Sequence, residues 1–296
     1  MKMIFKKMSV GLVLVGVAML AGCSLGVNES TSYSIPNWTA DGRIIARKVY
    51  LKTEHTLVSN SEIRAYQNSI VVMDDNGGHE QKLFDVDENG ISLVEMSPSG
   101  NYVGYINSMS LLKVFKNEGG RWNLKWTKTV ESFTDRISFS PDESKLYISE
   151  GSYQFKIFDS NGRELWHETL GGGGGFKTNS EVLFNQDSTT SLKLSLFNVL
   201  TGITTVVRPG TYIDEYVISG NSIVTALSSY ALTTNLDTGV IVTTNFTYTP
   251  YKYEDFVGRH LSPDGKKIVM SAKGPEFQGS GIYVLSIDTS QTGVLR

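Results

Sequence analysis

The segment LSPDGKKIVM (residues 261–270) joins an apolar residue, a tight turn and a β-branched strand within ten positions. Proline presets the φ angle of such a turn, and glycine supplies the positive φ with which it ends. Related segments, the last two of them degenerate, begin at Trp38, Met96, Phe139, Phe176 and Ile218. The second residues of the six copies lie 58, 43, 37, 42 and 43 positions apart, and a period near 40 residues is typical of four-stranded propeller blades.

A second turn marker recurs in phase with the first, between the last two strands of each unit. It is rich in glycine and asparagine, which tolerate the positive φ of tight hairpins. Its copies are Asp74–Gly78, Lys116–Gly120, Asp159–Gly162, Asn198–Gly202, Asn235–Gly239 and, more loosely, Asp288–Gly293. Two markers in phase across six units predict an all-β chain that forms a six-bladed propeller of four-stranded antiparallel blades over residues 35–296. A seven-bladed ring is the alternative.

The last unit is similar to the repeats of a known family. Its turn and strand, SPDGKKIVM (262–270), followed by IYVLSID (282–288), resemble the propeller repeats of the TolB family. The units Phe139–Asp159 and Trp38–Asp74 are similar as well. The resemblance implies a six-bladed propeller. It also favours binding over catalysis, because TolB repeats occur in binding partners of envelope proteins and in non-catalytic domains of peptidases.

The run GGGGGFKT (171–178) comes within one residue of the phosphate-binding pattern G-x-x-x-x-G-K-[ST]. Phe176 replaces the last glycine, where the backbone must approach the phosphate. The residues after Thr178 are strand formers, whereas the pattern needs a helix whose N-terminus faces the anion. We therefore expect a connection between blades at Gly171–Gly175 and no nucleotide site.

The N-terminal segment is basic, then apolar, and ends in a cysteine. Three lysines precede Ser9–Ala21, which is shorter than the about 20 apolar residues that span a bilayer, so residues 1–22 are predicted to be a signal peptide. The tetrapeptide LAGC (20–23) resembles the bacterial lipobox, which implies that Cys23 is lipidated and becomes the N-terminus after cleavage. Residues 23–34 are polar and are predicted to form a flexible tether. We expect the protein to be lipid-anchored in a membrane and to face the periplasm or the cell exterior. In a Gram-negative host, Ser24 favours the outer membrane.

Charge and cysteine content exclude several classes of protein. The 296 residues carry a net charge of −3, and removal of residues 1–22 moves it to −6, which argues against nucleic-acid binding. Cys23 is the only cysteine, so the chain has no disulfide and no thiolate metal site. The common hydrolase and metalloprotease motifs do not occur.

Acidic residues precede the inner strands of several units. In a propeller such positions approach the mouth of the central channel, and converging carboxylate oxygens coordinate Ca²⁺. Arg136 and Arg259 lie in the same zone and would alternatively form ion pairs with them. The candidate metal ligands are Asp135, Asp214, Glu215, Glu254 and Asp255.

Two long connections mark a candidate docking surface. Lys52–Ser69 in the first unit and Lys273–Ser280 in the last are longer than their equivalents, and ring closure makes these units neighbours. Long loops in compact domains are often functional. The predicted ligand-binding rim carries Tyr50, His55, Phe277, Gln278 and Tyr283.

These observations favour a monomeric envelope lipoprotein whose propeller is a non-catalytic binding or scaffold module. Its ligand would be an envelope protein or, as a variant, a cell-wall or carbohydrate ligand, and no cofactor is expected. The alternative is a calcium-dependent hydrolase or lyase with its site in the channel, by analogy with lactone hydrolases built on six-bladed propellers.

Overall fold

A computed structural model gives the fold of the chain. It describes residues 24–56, 62–87, 90–132, 134–150, 153–169, 171–186, 193–209, 216–219, 222–226, 230–238, 240–245, 254–273, 280–287 and 292–295. The described residues contain no helix that is long and apolar enough to cross a membrane.

The described strands form six antiparallel sheets of four consecutive strands each. Blades 1 and 2 comprise β1 (Ser24–Trp38), β2 (Ile44–Thr56), β3 (Glu62–Met73), β4 (Gln81–Asp85), β5 (Ile91–Met96), β6 (Tyr102–Asn107), β7 (Leu111–Glu118) and β8 (Arg121–Thr129). Blades 3 and 4 comprise β9 (Thr134–Phe139), β10 (Lys145–Glu150), β11 (Gln154–Asp159), β12 (Glu164–Glu168), β13 (Gly171–Phe176), β14 (Glu181–Gln186), β15 (Lys193–Asn198) and β16 (Ile203–Pro209). Blades 5 and 6 comprise β17 (Tyr216–Ser219), β18 (Ser222–Ala226), β19 (Tyr230–Asn235), β20 (Ile241–Asn245), β21 (Glu254–Leu261), β22 (Lys267–Lys273), β23 (Ser280–Ser286) and β24 (Thr292–Leu295). The predicted all-β, six-bladed propeller is confirmed.

The repeated turns join the first and second strands of the blades, as the sequence predicts. In blade 2 the N–H of Gly100 donates to the carbonyl oxygen of Ser97 at 2.9 Å, and Gly100 has a φ of 76°. In blade 3 Glu143 occupies the equivalent position with a φ of 59°. Its carboxylate accepts the N–H of Ser99 in the turn of blade 2 at 2.6 Å, so successive turns are also linked to each other.

The ring closes between blades 1 and 6 without a shared strand, since each blade consists of its own four strands. The indole N–H of Trp38 donates to the carbonyl oxygen of His260 across this seam at 2.9 Å. Apolar side chains fill the rest of the seam. The buried cluster comprises Tyr33, Trp38, Ile44, Ala46, Val71 and Met73 from blade 1 and Val269, Ile282 and Val284 from blade 6.

The glycine run is itself a strand and not the predicted connection between blades. It forms β13, the first strand of blade 4, and a strand (β14) follows it rather than the helix of a phosphate loop. Its lack of side chains permits close packing. A Cβ atom at Gly174 would stand 2.4 Å from the carbonyl oxygen of Leu183 and 2.7 Å from the hydroxyl of Tyr147.

The predicted tether is also a strand. Residues 24–34 belong to β1, which pairs with β2 from Ser24↔Thr56 to Trp38↔Ile44. Most of the predicted first long loop, Lys52–Ser69, is likewise strand, because β2 continues to Thr56 and β3 begins at Glu62. The outermost strand β4 pairs with β3 only as far as Ser69. Blade 1 therefore continues beyond the ring as a three-stranded extension, which we call the arm: residues 24–32, 49–56 and 62–67.

Candidate ligand site in the central channel

The first strands of the six blades surround a central cavity of about 300 Å³. The apolar residues that open the repeated turns form much of its wall, and turn prolines lie at its edge. These residues are Trp38, Met96, Phe139, Phe176, Ile218 and Leu261 on the strands, and Pro98, Pro141 and Pro263 in the turns. Ligand sites commonly combine such apolar walls with a few polar groups, and this volume lies at the small end of their range.

Glu95 from β5, one residue before Met96, is one of the two described carboxylic acids that line the cavity. Its carboxylate accepts a short hydrogen bond from the side-chain amide of Asn37. The same amide donates to the carbonyl oxygen of Val94 at 3.3 Å, and the Asn37 side-chain oxygen accepts the N–H of Trp38 at 2.8 Å. Blade 1 thus positions the carboxyl group that blade 2 supplies.

Arg136 from β9, in the neighbouring blade 3, brings a positive charge to the same cavity. Its guanidinium donates to the carbonyl oxygen of Tyr216 at 2.7 Å and lies 5.0 Å from the centroid of the Tyr216 ring. The Tyr216 hydroxyl donates to the carbonyl oxygen of Leu183 at 2.8 Å, and burial raises the pKa of this hydroxyl well above its ordinary value, against the smaller opposing effect of Arg136. Blades 3, 4 and 5 are therefore tied together at the channel wall.

The protonation of Glu95 depends on its place in the channel. Burial raises its pKa to about 8, although the charge of Arg136 and the hydrogen bond from Asn37 both oppose the rise. Glu95 therefore changes charge near neutral pH. As a neutral acid it donates a hydrogen bond to a ligand, and as a carboxylate it accepts one or pairs with a cation.

Glu95 was not among the residues predicted from the sequence. Its residue type was informative, because the inner strand ISLVEM (91–96) has only this one charged side chain. In a half-buried strand, however, alternation also predicts a polar residue that points to bulk water. A channel-lining glutamate can be told from a solvent-facing one only when it is known that both faces of an inner strand contact protein or the channel.

Of the five acids predicted to bind calcium, Asp135 lines the channel at the start of β9. Asp214 and Glu215 lie outside the described residues. Glu254 and Asp255 begin β21, of which the structure describes the path but not these two side chains. Within the described part of the chain, no three His, Cys, Asp or Glu side chains come together as a metal site. The calcium site stays a prediction.

The predicted rim between blades 1 and 6 is described only in part. Tyr50 lies in the arm and His55 near the end of β2, whereas Phe277 and Gln278 lie outside the described residues. Tyr283 was expected on this rim, but only 1% of its surface is exposed. The reason is that β23 is covered on both faces, so Tyr283 and its strand neighbours are buried alike. Tyr283 is therefore part of the core and not of an exposed rim.

The fold of the chain is similar to that of several solved propeller structures. No family model matches the chain, and no curated protein matches it. Among solved structures, TolB from Acinetobacter baumannii matches with a TM-score of 0.54 and 13% identity, covering 89% of this chain and 78% of its own. Hsv2 from Kluyveromyces lactis matches with a TM-score of 0.53 and 11% identity, covering 87% of this chain and 74% of its own. At sequence identities this low, the structural matches show similarity of fold alone. The chain therefore has a propeller fold similar to that of TolB.

Proposed function

We propose that this chain is a lipid-anchored protein of the bacterial cell envelope that binds a protein partner without catalysing a reaction. The cavity in the channel carries the proposal. Its volume of about 300 Å³ accommodates one or two side chains rather than an extended ligand. Its apolar wall and turn prolines offer the surroundings in which an anchoring side chain of a partner is buried most effectively.

The charges of the channel indicate the chemistry of that anchoring side chain. Glu95 and Asp135 are acidic, and the single described arginine of the wall, Arg136, is already engaged with Tyr216. A basic side chain entering the cavity would meet two acids. A loop of the partner that presents a lysine or arginine therefore fits best.

The location of the anchor supports the same function. Cys23 directly precedes Ser24, at the beginning of β1, and Trp38 at the other end of β1 lines the cavity. The strand therefore leads from the proposed lipid anchor to the end of the channel where the turn prolines lie. This arrangement leaves the proline-lined mouth remote from the anchor and accessible to another protein of the envelope.

Site-specific photo-cross-linking in intact cells tests the proposal. A photoreactive amino acid at Pro98 or Pro141, both at the cavity mouth, should capture a discrete protein partner. Leu200, which is 75% exposed in the turn between β15 and β16, is the matched control and should capture none. Glu95→Gln should weaken the capture, because glutamine cannot lose a proton to become the carboxylate that pairs with a basic side chain.

Three outcomes would contradict the proposal. Equal capture from Leu200 would show that the channel mouth is not the contact. Labelling of glycan in place of protein from Pro98 and Pro141 would identify a cell-wall ligand. Hydrolysis in a panel of lactones and esters, lost on removal of calcium, would establish the enzyme instead.

A further inference from the structure

The arm has two chemically different faces. Directly paired residues in neighbouring strands share a face of a sheet, and alternate residues along a strand lie on the same face. One face carries the ion pair between Lys52 and Glu29, whose charged atoms are 2.7 Å apart, and also Glu54. This charged face continues into the side of blade 1 that packs against blade 6.

The opposite face is apolar at its centre. Its register brings Leu51 beside Tyr66 and Thr53 beside Ile63, with Val49 one step nearer to the ring. Ile63 is 68% exposed and Tyr66 is 46% exposed. The other described side chains of this face are small or uncharged: Asn28, Ser30, Ser32 and Thr53. Among the described side chains of the arm, charge is thus confined to one face.

The chain outside the structure indicates what covers the apolar face. The apolar stretch Ser9–Ala21 and Cys23 directly precede Ser24, and Ser24 pairs with Thr56 at the tip of the arm. In the proposed mature protein the tip is therefore fixed to the lipidated Cys23. The membrane that receives the acyl chains lies within a few residues of the tip of the arm.

We propose that the arm contacts the lipid surface through the face formed by Val49, Leu51, Ile63 and Tyr66. The inference rests on the proposed anchoring at Cys23 and extends it, because the anchor alone would leave the ring free to turn. Aliphatic side chains and tyrosine are the residues that settle at the boundary between headgroups and acyl chains. The charged face, with Lys52 and Glu29, remains in water, so the propeller is held at one orientation to the membrane.

Spin-label accessibility in the full-length lipoprotein tests this contact. Because Cys23 is the only cysteine and is acylated in the proposed mature protein, one introduced cysteine is the sole free thiol. Nitroxides at Ile63→Cys and Tyr66→Cys probe the apolar face, and Thr31→Cys and Gln67→Cys, both exposed on the charged face, are matched controls. The protein is reconstituted into vesicles of phosphatidylethanolamine and phosphatidylglycerol. Collisions with oxygen, which enters lipid, are compared with collisions with a water-soluble nickel chelate.

On reconstitution, labels at positions 63 and 66 should gain oxygen collisions and lose nickel collisions, while labels at positions 31 and 67 should not change. The same response at all four positions, or at none, overturns the proposal. Circular dichroism of each labelled variant excludes loss of the fold as the cause.

A separate measurement distinguishes failure of the anchor from failure of the arm. Intact mass reports whether Cys23 carries acyl chains. If it does not, the anchoring proposal fails, and the labels are then placed in a Cys23→Ser background and mixed with the same vesicles. A response confined to positions 63 and 66 in that background would still support the lipid-contacting face, and its absence would refute it.

Discussion

Replacement of Gly174 by alanine should destabilise the propeller far more than replacement of the adjacent Gly175. A Cβ atom at position 174 would lie 2.4 Å from the backbone oxygen of Leu183, 2.7 Å from the Tyr147 hydroxyl and 3.0 Å from the Cβ of Phe184. Unstrained contacts between such atoms need roughly 3.5 Å, so the shortfall against Leu183 is about 1 Å. Since backbone oxygen cannot rotate away, β13 and β14 must separate.

The expected cost follows from this shortfall. Overpacking a well-packed interior usually costs about 1–3 kcal/mol, and a clash with backbone belongs at the upper end, so Gly174→Ala should lose about 3 kcal/mol. At Gly175 the nearest atom is the Ser138 hydroxyl oxygen at 3.2 Å, which belongs to a side chain that can move. Gly175→Ala should therefore stay within about 1 kcal/mol of the parent, since alanine also reduces the entropy of the unfolded chain.

Urea unfolding followed by tryptophan fluorescence measures both variants, because the chain has four tryptophans. The two substitutions add the same methyl group to the same strand, so their difference isolates the packing of β13. A Gly174→Ala variant within about 1 kcal/mol of the parent, or one more stable than Gly175→Ala, would refute the tight packing of β13 against β14 and Tyr147.

Three further predictions concern the anchor, the core and the channel. Cys23→Ser should leave uncleaved precursor without acyl chains, and a variant of mature mass that stays on carbonate-washed membranes would contradict the anchor. Phe139→Ala should cost about 3–5 kcal/mol in urea, because the ring is 8% exposed and stacks on Tyr102 with a centroid distance of 6.2 Å; a loss below about 1 kcal/mol would place the ring outside the core. The free energy of unfolding should fall as pH rises from the ordinary glutamate pKa to about 8, because the folded state holds the Glu95 proton more tightly than the unfolded chain does. Glu95→Gln should abolish this part of the pH dependence. Equal pH profiles for the parent and the variant would show that Glu95 does not have a raised pKa.

The blade repeat was predictable because its turns require particular residues. Gly100 has a backbone conformation that glycine adopts at little cost, so the sequence marks the turn directly. The apolar residue before each turn, such as Phe139 or Leu261, then fixes the end of the inner strand. Turn and strand together determined the number of blades, their order and the phase of each repeat.

The glycine strand and the arm were missed because their side chains give no strand signal. Glycine by itself disfavours strands. In β13, however, the strand packs so closely against Leu183 and Tyr147 that position 174 has no room for a side chain. In residues 24–34, serine, threonine and asparagine resemble a linker when read alone. Their pairing with β2 is decided by residues more than a dozen positions away, which local composition does not record.

Of the two described acids that line the channel, one was predicted from the sequence and one was missed. Asp135 was identified from its position before an inner strand, whereas Glu95 lies within one. Burial of Glu95 and its bond to Asn37 depend on the approach of two blades, which is a property of the closed ring. Sequence periodicity locates the channel, and the contacts between blades decide which polar groups occupy it.

The arm also determines how the protein responds to mechanical force. Tension applied at residue 23 acts on Ser24 along the direction of β1, and the neighbouring strand β2 runs antiparallel to it through twelve paired positions. Such a pull shears the two strands past each other and strains all their hydrogen bonds at once, whereas a pull across the sheet would break them one after another. In the proposed anchored protein, this strand would thus transmit a load between the membrane and a bound partner while the blades stay folded.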